Sequence, residues 1–189
     1  TINPDGPSDA RAELLERLKV VSDKARDQSI PLMIDLDTIP NATQVEMYGG
    51  VSEARAMLLI SGIQQLQDAG VDPAIWAFDP ADDDIFTEAL AAQTHVDGRD
   101  SKVLLVISGE LAAGHVGNSL KETDRQAIRF AAHTNGITGV LVGPGAYFRN
   151  LVQFNAGIVS RDAAVADIAS YLGDIGEIFA TSRTASEVL

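Results

Sequence analysis

Four short apolar runs alternate along the chain with longer segments of helical periodicity, and this alternation constrains the fold more than any other feature. The clearest run is KVLLVIS, from Lys102 to Ser108, a composition typical of strands that are covered on both faces. The other three runs are PLMIDLDTI at 31–39, the segment around PAIWAF at 73–78, and 137–142. One helix followed by four strand-helix units predicts an α/β fold with a parallel sheet and right-handed crossovers.

Helix start and stop signals stand between these runs. Ser8, Ser52 and Ser160 are predicted N-caps, and Gly70 follows the second predicted helix as a stop signal. Two further helices are predicted to open at 82–84 and at 123–124, where acidic residues favour the positive end of a helix dipole. No segment is long enough to act as a linker, so we expect a single domain over residues 1–180 and a polar tail over 181–189.

Two architectures fit this order of elements: an open doubly wound sheet, and part of an eight-stranded barrel. No strand is followed by a GxGxxG fingerprint, which lowers the expectation of a dinucleotide-binding fold. The last predicted strand ends in Gly143-Pro144-Gly145. A glycine-rich turn at that point is where many barrels hold a phosphate group, although such a turn is also common without a ligand.

Composition limits the partners and the compartment. The formal net charge of -13 argues against nucleic acid or an anionic membrane surface as a partner, because a phosphate backbone attracts clustered lysine and arginine. The chain has no cysteine, so thiolate chemistry and disulfides are excluded. No signal peptide or membrane span is recognisable, and we expect a cytoplasmic protein. The chain begins with Thr1 in a turn-rich segment, which suggests a fragment or a processed product.

Several motifs together resemble one enzyme family. They are NPDG near the start, ERLKVVSDKA, GVDPAIWAFD, DGRDSKVLLVISG, GITGVLVGPGAYF and GIVSRDAAVADIASYL. In combination they resemble the class I aldolase-like TIM-barrel domain of inositol catabolism, which includes deoxy-ketogluconate-phosphate aldolase and is similar to the tagatose-bisphosphate aldolases. The resemblance covers the C-terminal half of that barrel, so the four strands here would be its fifth to eighth. The implied fold is a set of parallel (β/α) units equivalent to half of a TIM barrel.

The resemblance assigns the central position of the site to an alanine. The sixth strand of that family reads Trp-Lys-Leu-Glu-Gly, and its lysine forms a Schiff base with the ketose. The same place here reads Trp76-Ala77-Phe78-Asp79-Pro80. A class I aldolase needs an amine to form an iminium that delocalises the carbanion left by carbon–carbon cleavage. A methyl group cannot form that bond, so the resemblance implies an aldolase-family domain that lacks Schiff-base activity.

The remaining site residues are also given by the resemblance. Asp35 and Asp79 stand where the family has glutamates, so they are the candidate acid–base residues, together with His115 in the loop after the third strand. Two family arginines are absent, since Glu110 follows Gly109 and Pro144 follows Gly143. Phosphate would then be held by the backbone around four small residues: Ser108, Gly109, Gly143 and Gly145.

Other residues that carry chemistry allow less specific interpretations. No cofactor is implied, but Asp35, Asp37 and Asp79 at strand ends leave Mg²⁺ as an alternative. His95 and His133 stand near predicted helix C-termini, where a cation is mildly favourable. Lys102 begins its strand and so stands at the end opposite to barrel chemistry, while Lys19, Lys24 and Lys121 are expected to be surface residues.

Two functions from different classes remain open. One is a carbon–carbon lyase of the phospho-keto-sugar aldolase type, with a phosphorylated sugar or keto acid as its ligand. The other is a non-catalytic binding or assembly subunit that completes a barrel with another chain. Half a barrel leaves unpaired edge strands and an uncovered inner face. We therefore expect a homo-oligomer or a complementary N-terminal half-barrel as partner. The alternative is that the four strands flatten into a small open sheet.

Overall fold

The computed structural model describes residues 8–80, 83–107 and 120–186. Within those ranges the chain forms seven α-helices and four β-strands: α1 (Ser8–Asp27), β1 (Met33–Asp35), α2 (Ala42–Tyr48), α3 (Val51–Asp68), β2 (Ile75–Phe78), α4 (Asp84–Thr94), β3 (Lys102–Ile107), α5 (Glu122–His133), β4 (Gly139–Val142), α6 (Phe148–Asn155) and α7 (Arg161–Ser186). Short 3₁₀ turns at Val96–Gly98 and Pro144–Ala146 follow α4 and β4.

The strands form one sheet in the order β1-β2-β3-β4. β1 and β2 run parallel, with Met33 beside Ile75 and Asp35 beside Ala77. At least one helix separates each strand from the next along the chain, which is the kind of connection that neighbouring parallel strands need. The predicted α/β class is therefore confirmed.

β1 is much shorter than the apolar run that predicted it. Beyond Leu36, whose N–H still donates to the carbonyl of Ala77 (2.8 Å), the chain leaves the sheet. The N–H of Thr38 donates instead to the side chain of Asp37, at 2.8 Å. This local bond competes with strand pairing. It is consistent with a strand of only three residues within the 31–39 run.

The chain packs as two compact units. The first consists of Thr1–Leu104 and Asn135–Ile137, and the second of Leu105–Thr134 and Thr138–Leu189. In the first unit β2 supplies the two largest fully buried side chains, Trp76 and Phe78. The apolar side of α3 and parts of its neighbours are buried in the same unit: Leu58, Ile63, Leu66, Val71 and Leu90.

The second unit has a core of its own, formed mainly by α5 and α7 with β4. Its buried members are Ile107, Leu120, Ile128, Ala146, Tyr171 and Ile175. Val140 and Val142 of β4 pack against this cluster from the sheet. Alternate residues of a strand point to the same face, so β4 turns its two valines toward the helices.

The helix boundaries confirm some predicted caps and correct others. Ser160 accepts a hydrogen bond from the N–H of Ala163 (3.2 Å), as its predicted role at the start of α7 requires. Asp83 accepts from the N–H of Ile85 at the start of α4. The prediction for Ser52 is wrong, because α3 begins at Val51 with Gly50 as its N-cap. The helices α2 and α6 were not predicted.

α7 extends beyond the boundary placed at residue 180 and ends at Ser186. Hydroxyls in its last turns bond back to the helix: Thr181 donates to the carbonyl of Glu177 (2.7 Å), and Thr184 to that of Ala180 (3.0 Å). The guanidinium of Arg183 lies 5.3 Å from the centre of the Phe179 ring. The cation–π contact between Arg183 and Phe179, which are one turn apart, favours helix in this segment although its composition is polar.

No helix in the described ranges combines the length and the apolar character that crossing a membrane requires.

Candidate functional site

The carboxyl ends of β1 and β2 bring polar residues together in the first unit. Asp35 of β1 is the register partner of Ala77 in β2. Register partners in neighbouring parallel strands point to the same face of a sheet, so Asp35 and Ala77 share one face. Asp37 and Asp79 each follow two residues later. The sequence prediction that these acids lie together at strand ends is therefore consistent with the register.

A residue that the sequence analysis did not identify, Arg55 of α3, connects two of these acids. Its Nη2 donates to Asp37 Oδ1 at 2.9 Å and to Asp79 Oδ2 at 2.7 Å. The Arg55 side chain is 29% exposed, whereas those of Asp37 and Asp79 are about half exposed. We call Asp37, Arg55 and Asp79 the aspartate–arginine site.

One signal in the sequence could have identified Arg55. It is the only cationic residue in α3, whose sequence is VSEARAMLLISGIQQLQD. The helix comes after β1 and α2 in the chain, and Ala54 and Ala56, the neighbours of the arginine in sequence, are both buried. A single cation in such a place needs a carboxylate partner, because burying an unpaired charge is costly.

Asp35 and Arg55 both have pKa values above their ordinary values, for different reasons. Burial raises the pKa of the Asp35 carboxyl above its ordinary value, and the negative charges of Asp79 and Asp37 raise it further. Partial burial acts to lower the pKa of Arg55, but hydrogen bonds to Asp79 and Asp37 outweigh it, so that pKa lies above its ordinary value. Asp35 is an exposed residue of β1, so it loses only part of its solvent shell, and the direction of the shift makes its carboxyl bind a proton more readily than a free one.

A cavity of about 180 Å³ lies next to the aspartate–arginine site. Its polar lining comes from Ser52, Arg55 and Asp79, and its apolar lining from Val51, Ala56, Leu59 and Pro80. The start of α3 and the end of β2 therefore border a space that is lined by both polar and apolar residues. This volume is smaller than that of most ligand pockets, so it suits a small molecule.

Ala77 is fully buried, and no lysine replaces it at the carboxyl ends of β1 and β2 in the described part of the first unit. Lys102 is at the opposite end of the sheet, since its N–H donates to the carbonyl of Ala74, before β2 begins. Lys19 pairs with Asp23 on α1 (2.8 Å), and its side chain lies near Gly70, past the far end of α3.

The other predicted site residues belong to two groups. Ser108, Gly109 and His115 lie outside the described residues. Gly143 and Gly145 belong to the second unit, at the end of β4 and in the 3₁₀ turn that follows it. The N–H of Gly143 donates to the carbonyl of Ile107 at 3.0 Å, so it already has an acceptor within the sheet.

The two histidines that are described occupy helix ends. The Nδ1 of His95 lies 2.8 Å from the carbonyl oxygen of Ala91, and the Nδ1 of His133 lies 2.7 Å from that of Arg129. These bonds join each ring to the last turn of its own helix. His95 and His133 are thus near helix C-termini, as predicted, where their hydrogen bonds satisfy terminal carbonyl groups.

The Mg²⁺ alternative requires a cation between the strand-end acids. Among the described residues, the cation between Asp37 and Asp79 is the guanidinium of Arg55. The same residues contain no group of three or more histidines and acids arranged to hold a metal ion.

The chain matches no protein-family model, and no curated protein matches it either. Family membership is therefore not established by comparison, and the aldolase resemblance stays a prediction from the motifs.

Proposed function

We propose that the chain is an aldolase-like (β/α) domain that binds a small hydroxylated keto compound at the carboxyl ends of β1 and β2 without forming a Schiff base. The observation that carries this proposal is the place of Ala77. It is buried, it lies in register with Asp35, and Arg55, Asp37 and Asp79 are close to the same strand ends. Asp35 stands where the resemblance implies an acid, and residue 77 offers no amine.

The chemistry available to such a site is limited to proton transfer and polarisation. Asp35, whose pKa is raised mainly by burial, would donate a proton or a hydrogen bond to a carbonyl or hydroxyl oxygen of the ligand. The Arg55 guanidinium would polarise a neighbouring oxygen by donating hydrogen bonds. Carbon–carbon cleavage by the family mechanism would still lack its electron sink, because no iminium can form at Ala77.

We propose further that the sheet corresponds to the C-terminal half of a TIM barrel. The strand order β1-β2-β3-β4 supports this, since in a barrel each strand lies beside the next one in the chain. A doubly wound sheet instead reverses its strand order near the middle, and it places helices on both faces. Right-handed crossovers in a sequential order place the connecting helices on one face only.

The second candidate function, a binding or assembly subunit, is favoured by the same strand order. In the described sheet, β1 and β4 each have a single neighbouring strand. Such edges offer unpaired backbone groups to another chain. A second copy of this chain, or a separate N-terminal half-barrel, would supply the missing neighbours. This function is compatible with ligand binding at the aspartate–arginine site.

The proposal is tested by borohydride trapping. The full chain is reduced in the presence of dihydroxyacetone phosphate and, separately, of dihydroxyacetone, and its intact mass is compared with that of the untreated protein. We expect no adduct with either compound, because the buried position 77 has no amine. An adduct that maps to a lysine of this chain would contradict the proposal and identify a relocated nucleophile.

A further inference from the structure

The aspartate–arginine site carries more negative than positive charge. One guanidinium, that of Arg55, faces the two carboxylates of Asp37 and Asp79. A phosphate dianion placed beside this group would be repelled by two carboxylates and attracted by one guanidinium. The local charge therefore disfavours the phosphorylated ligand that the family resemblance implies.

The hydrogen-bonding capacity left in the site suits hydroxyl groups. Both bonds from Arg55 leave through Nη2, and among the described residues its Nε and Nη1 have no acceptor. Asp79 Oδ1 likewise accepts no hydrogen bond from the described part of the chain. A hydroxyl group both donates and accepts. Two adjacent hydroxyls can each donate to a carboxylate and accept from the guanidinium between them.

The walls of the cavity match the same kind of molecule. Beside its polar residues, the cavity is lined by the apolar residues Val51, Ala56, Leu59 and Pro80. A polyol has carbon–hydrogen faces that bury favourably against apolar side chains and hydroxyl edges that need polar partners. The hydroxyl of Ser52, which also lines the cavity, adds one more group that can donate and accept.

From these three observations we infer that the aspartate–arginine site and its cavity bind the adjacent hydroxyl groups of an uncharged polyol or keto-sugar, in preference to a sugar phosphate. The inference rests on the proposed function, since it names the class of ligand for the same site. Arg55 and Asp79 are the binding residues, and the charge of Asp79 is the feature that discriminates against phosphate.

The test compares D-fructose with D-fructose 6-phosphate. Binding of each sugar to the full chain is measured by titration calorimetry at low ionic strength, where charge effects are least screened. We expect D-fructose to bind at least about tenfold more tightly, a difference within the range that like-charge repulsion produces at a partly exposed site. Tighter binding of the phosphate, or binding of neither sugar by a folded chain, would overturn the inference.

Two variants separate charge from shape. Asp79→Asn keeps an acceptor oxygen and removes one negative charge, so the preference for D-fructose over its phosphate should shrink several-fold. Asp68→Asn removes the same charge from an exposed position in the last turn of α3, and it should leave the preference unchanged. An equal change in both variants would show that net charge, and not the site, sets the preference.

The proposed function and this inference fail in different experiments. A lysine adduct after borohydride treatment contradicts the proposed function whichever sugar binds. Preferential binding of D-fructose 6-phosphate, with no adduct, contradicts only the inference. The ligand class would then be a phosphorylated sugar, as the family resemblance implies.

Discussion

Arg55 holds together two strands whose ends are otherwise acidic. Its removal in Arg55→Met leaves Asp37 and Asp79 with no cation between them. We expect a loss of about 1–2 kcal/mol in the free energy of unfolding at neutral pH, because two partly exposed ion pairs are lost and the remaining carboxylates repel. Urea unfolding monitored by the fluorescence of Trp76, the only tryptophan of the chain and a buried one, measures the change.

The matched control is Arg17→Met. Arg17 pairs with Glu13 across one turn of α1, and both side chains are largely exposed. Exposed pairs of this kind contribute less than about 0.5 kcal/mol, so the control should barely change the urea midpoint. Similar losses in the two variants would show that Arg55 contributes no more than a surface pair.

The raised pKa of Asp35 predicts how stability depends on pH. Burial, followed by the charges of Asp79 and Asp37, raises the pKa in the folded protein above its unfolded value. Folding therefore favours the protonated carboxyl more than the unfolded chain does, and this contribution to stability is complete below the unfolded pKa of about 3.9 and lost as pH rises through the folded value. At neutral pH the charged Asp35 is thus a cost to the folded state.

Asp35→Asn tests this sign. The variant should be more stable than the parent at pH 7 by roughly a few tenths of a kcal/mol, because solvent screens much of the repulsion at an exposed carboxyl. The difference should vanish near pH 3, where Asp35 is protonated in both states. Urea titrations at the two pH values measure it, and a difference that grows as pH falls would contradict the assigned direction.

At the scale of single residues, the sequence places acids at the strand ends around this site but does not indicate its arginine. Asp35, Ala77 and Asp79 were selected because they lie near strand ends and match positions of the family motif. Side chains alternate between the two faces of a strand, so the position of a residue along the strand decides which face it is on. Arg55 does not follow in the same way. Its distance from Asp37 and Asp79 depends on how α3 is rotated against β1 and β2, and a helical period gives only a broad face.

At the scale of elements, the junction between α2 and α3 shows what a pattern can hide. Asn41 caps α2 with a reciprocal pair of hydrogen bonds: its side chain accepts from the N–H of Gln44 (3.0 Å), and the Gln44 side chain accepts from the N–H of Asn41 (2.9 Å). This is a capping box, and the spacing is visible in the sequence. The helix it starts is so short that periodicity alone does not reveal it.

Gly49 ends α2 in the left-handed conformation, with φ of 86°. Gly49→Ala should destabilise the protein by about 1 kcal/mol, because alanine disfavours that conformation. An added Cβ meets nothing within 4 Å there, so the cost is conformational and not steric. The matched change is Gly173→Ala within α7, which also meets nothing within 4 Å. It should stabilise by up to about 1 kcal/mol, since alanine is the better helix former.

Thermal unfolding of both variants measures the pair. Opposite shifts in Tm are expected from the same chemical change, because one glycine has a positive φ and the other lies inside a helix. Destabilisation by Gly173→Ala would contradict an unobstructed position in α7.

Residue 77 in strand β2 allows a direct test of the family resemblance. If Ala77 occupies a lost lysine position, Ala77→Lys should regain a borohydride-reducible adduct with dihydroxyacetone at residue 77. Ala77→Met is the control, because it has a similar length and no amine. Both variants enlarge a fully buried residue. Ala77→Met should lose about 1–3 kcal/mol of stability, and Ala77→Lys should lose more, because its amine is also removed from water. A folded Ala77→Lys chain that forms no adduct would contradict the assignment of this position.

At the scale of the whole molecule, the alternation of apolar runs and helices was sufficient to predict an α/β fold, and the sheet of four strands confirms it. The alternation does not show whether the sheet is part of a barrel, or which half of a barrel it would be. A sequential strand order is also what an open, singly wound sheet would have. The distinction depends on what covers the edge strands and the inner face of the sheet.

Self-association is therefore the property that tests the proposed half-barrel. We expect the purified chain to form dimers or larger assemblies, because the edge strands β1 and β4 have one neighbour each in the described sheet. The formal net charge of -13 opposes this association. Raising the salt concentration from about 0.02 M to about 0.5 M shortens the screening length from roughly 20 Å to about 4 Å. The associated fraction should rise accordingly.

Sedimentation velocity at the two salt concentrations measures that fraction, and the dependence on protein concentration distinguishes an equilibrium from fixed aggregates. A chain that instead requires a separate N-terminal half-barrel would remain monomeric and unfold without a sharp transition, because half of its intended core would be missing. A monomer at both salt concentrations with cooperative unfolding would contradict both partners. It would leave an independent open sheet, since only a sheet that needs no further strands is stable alone.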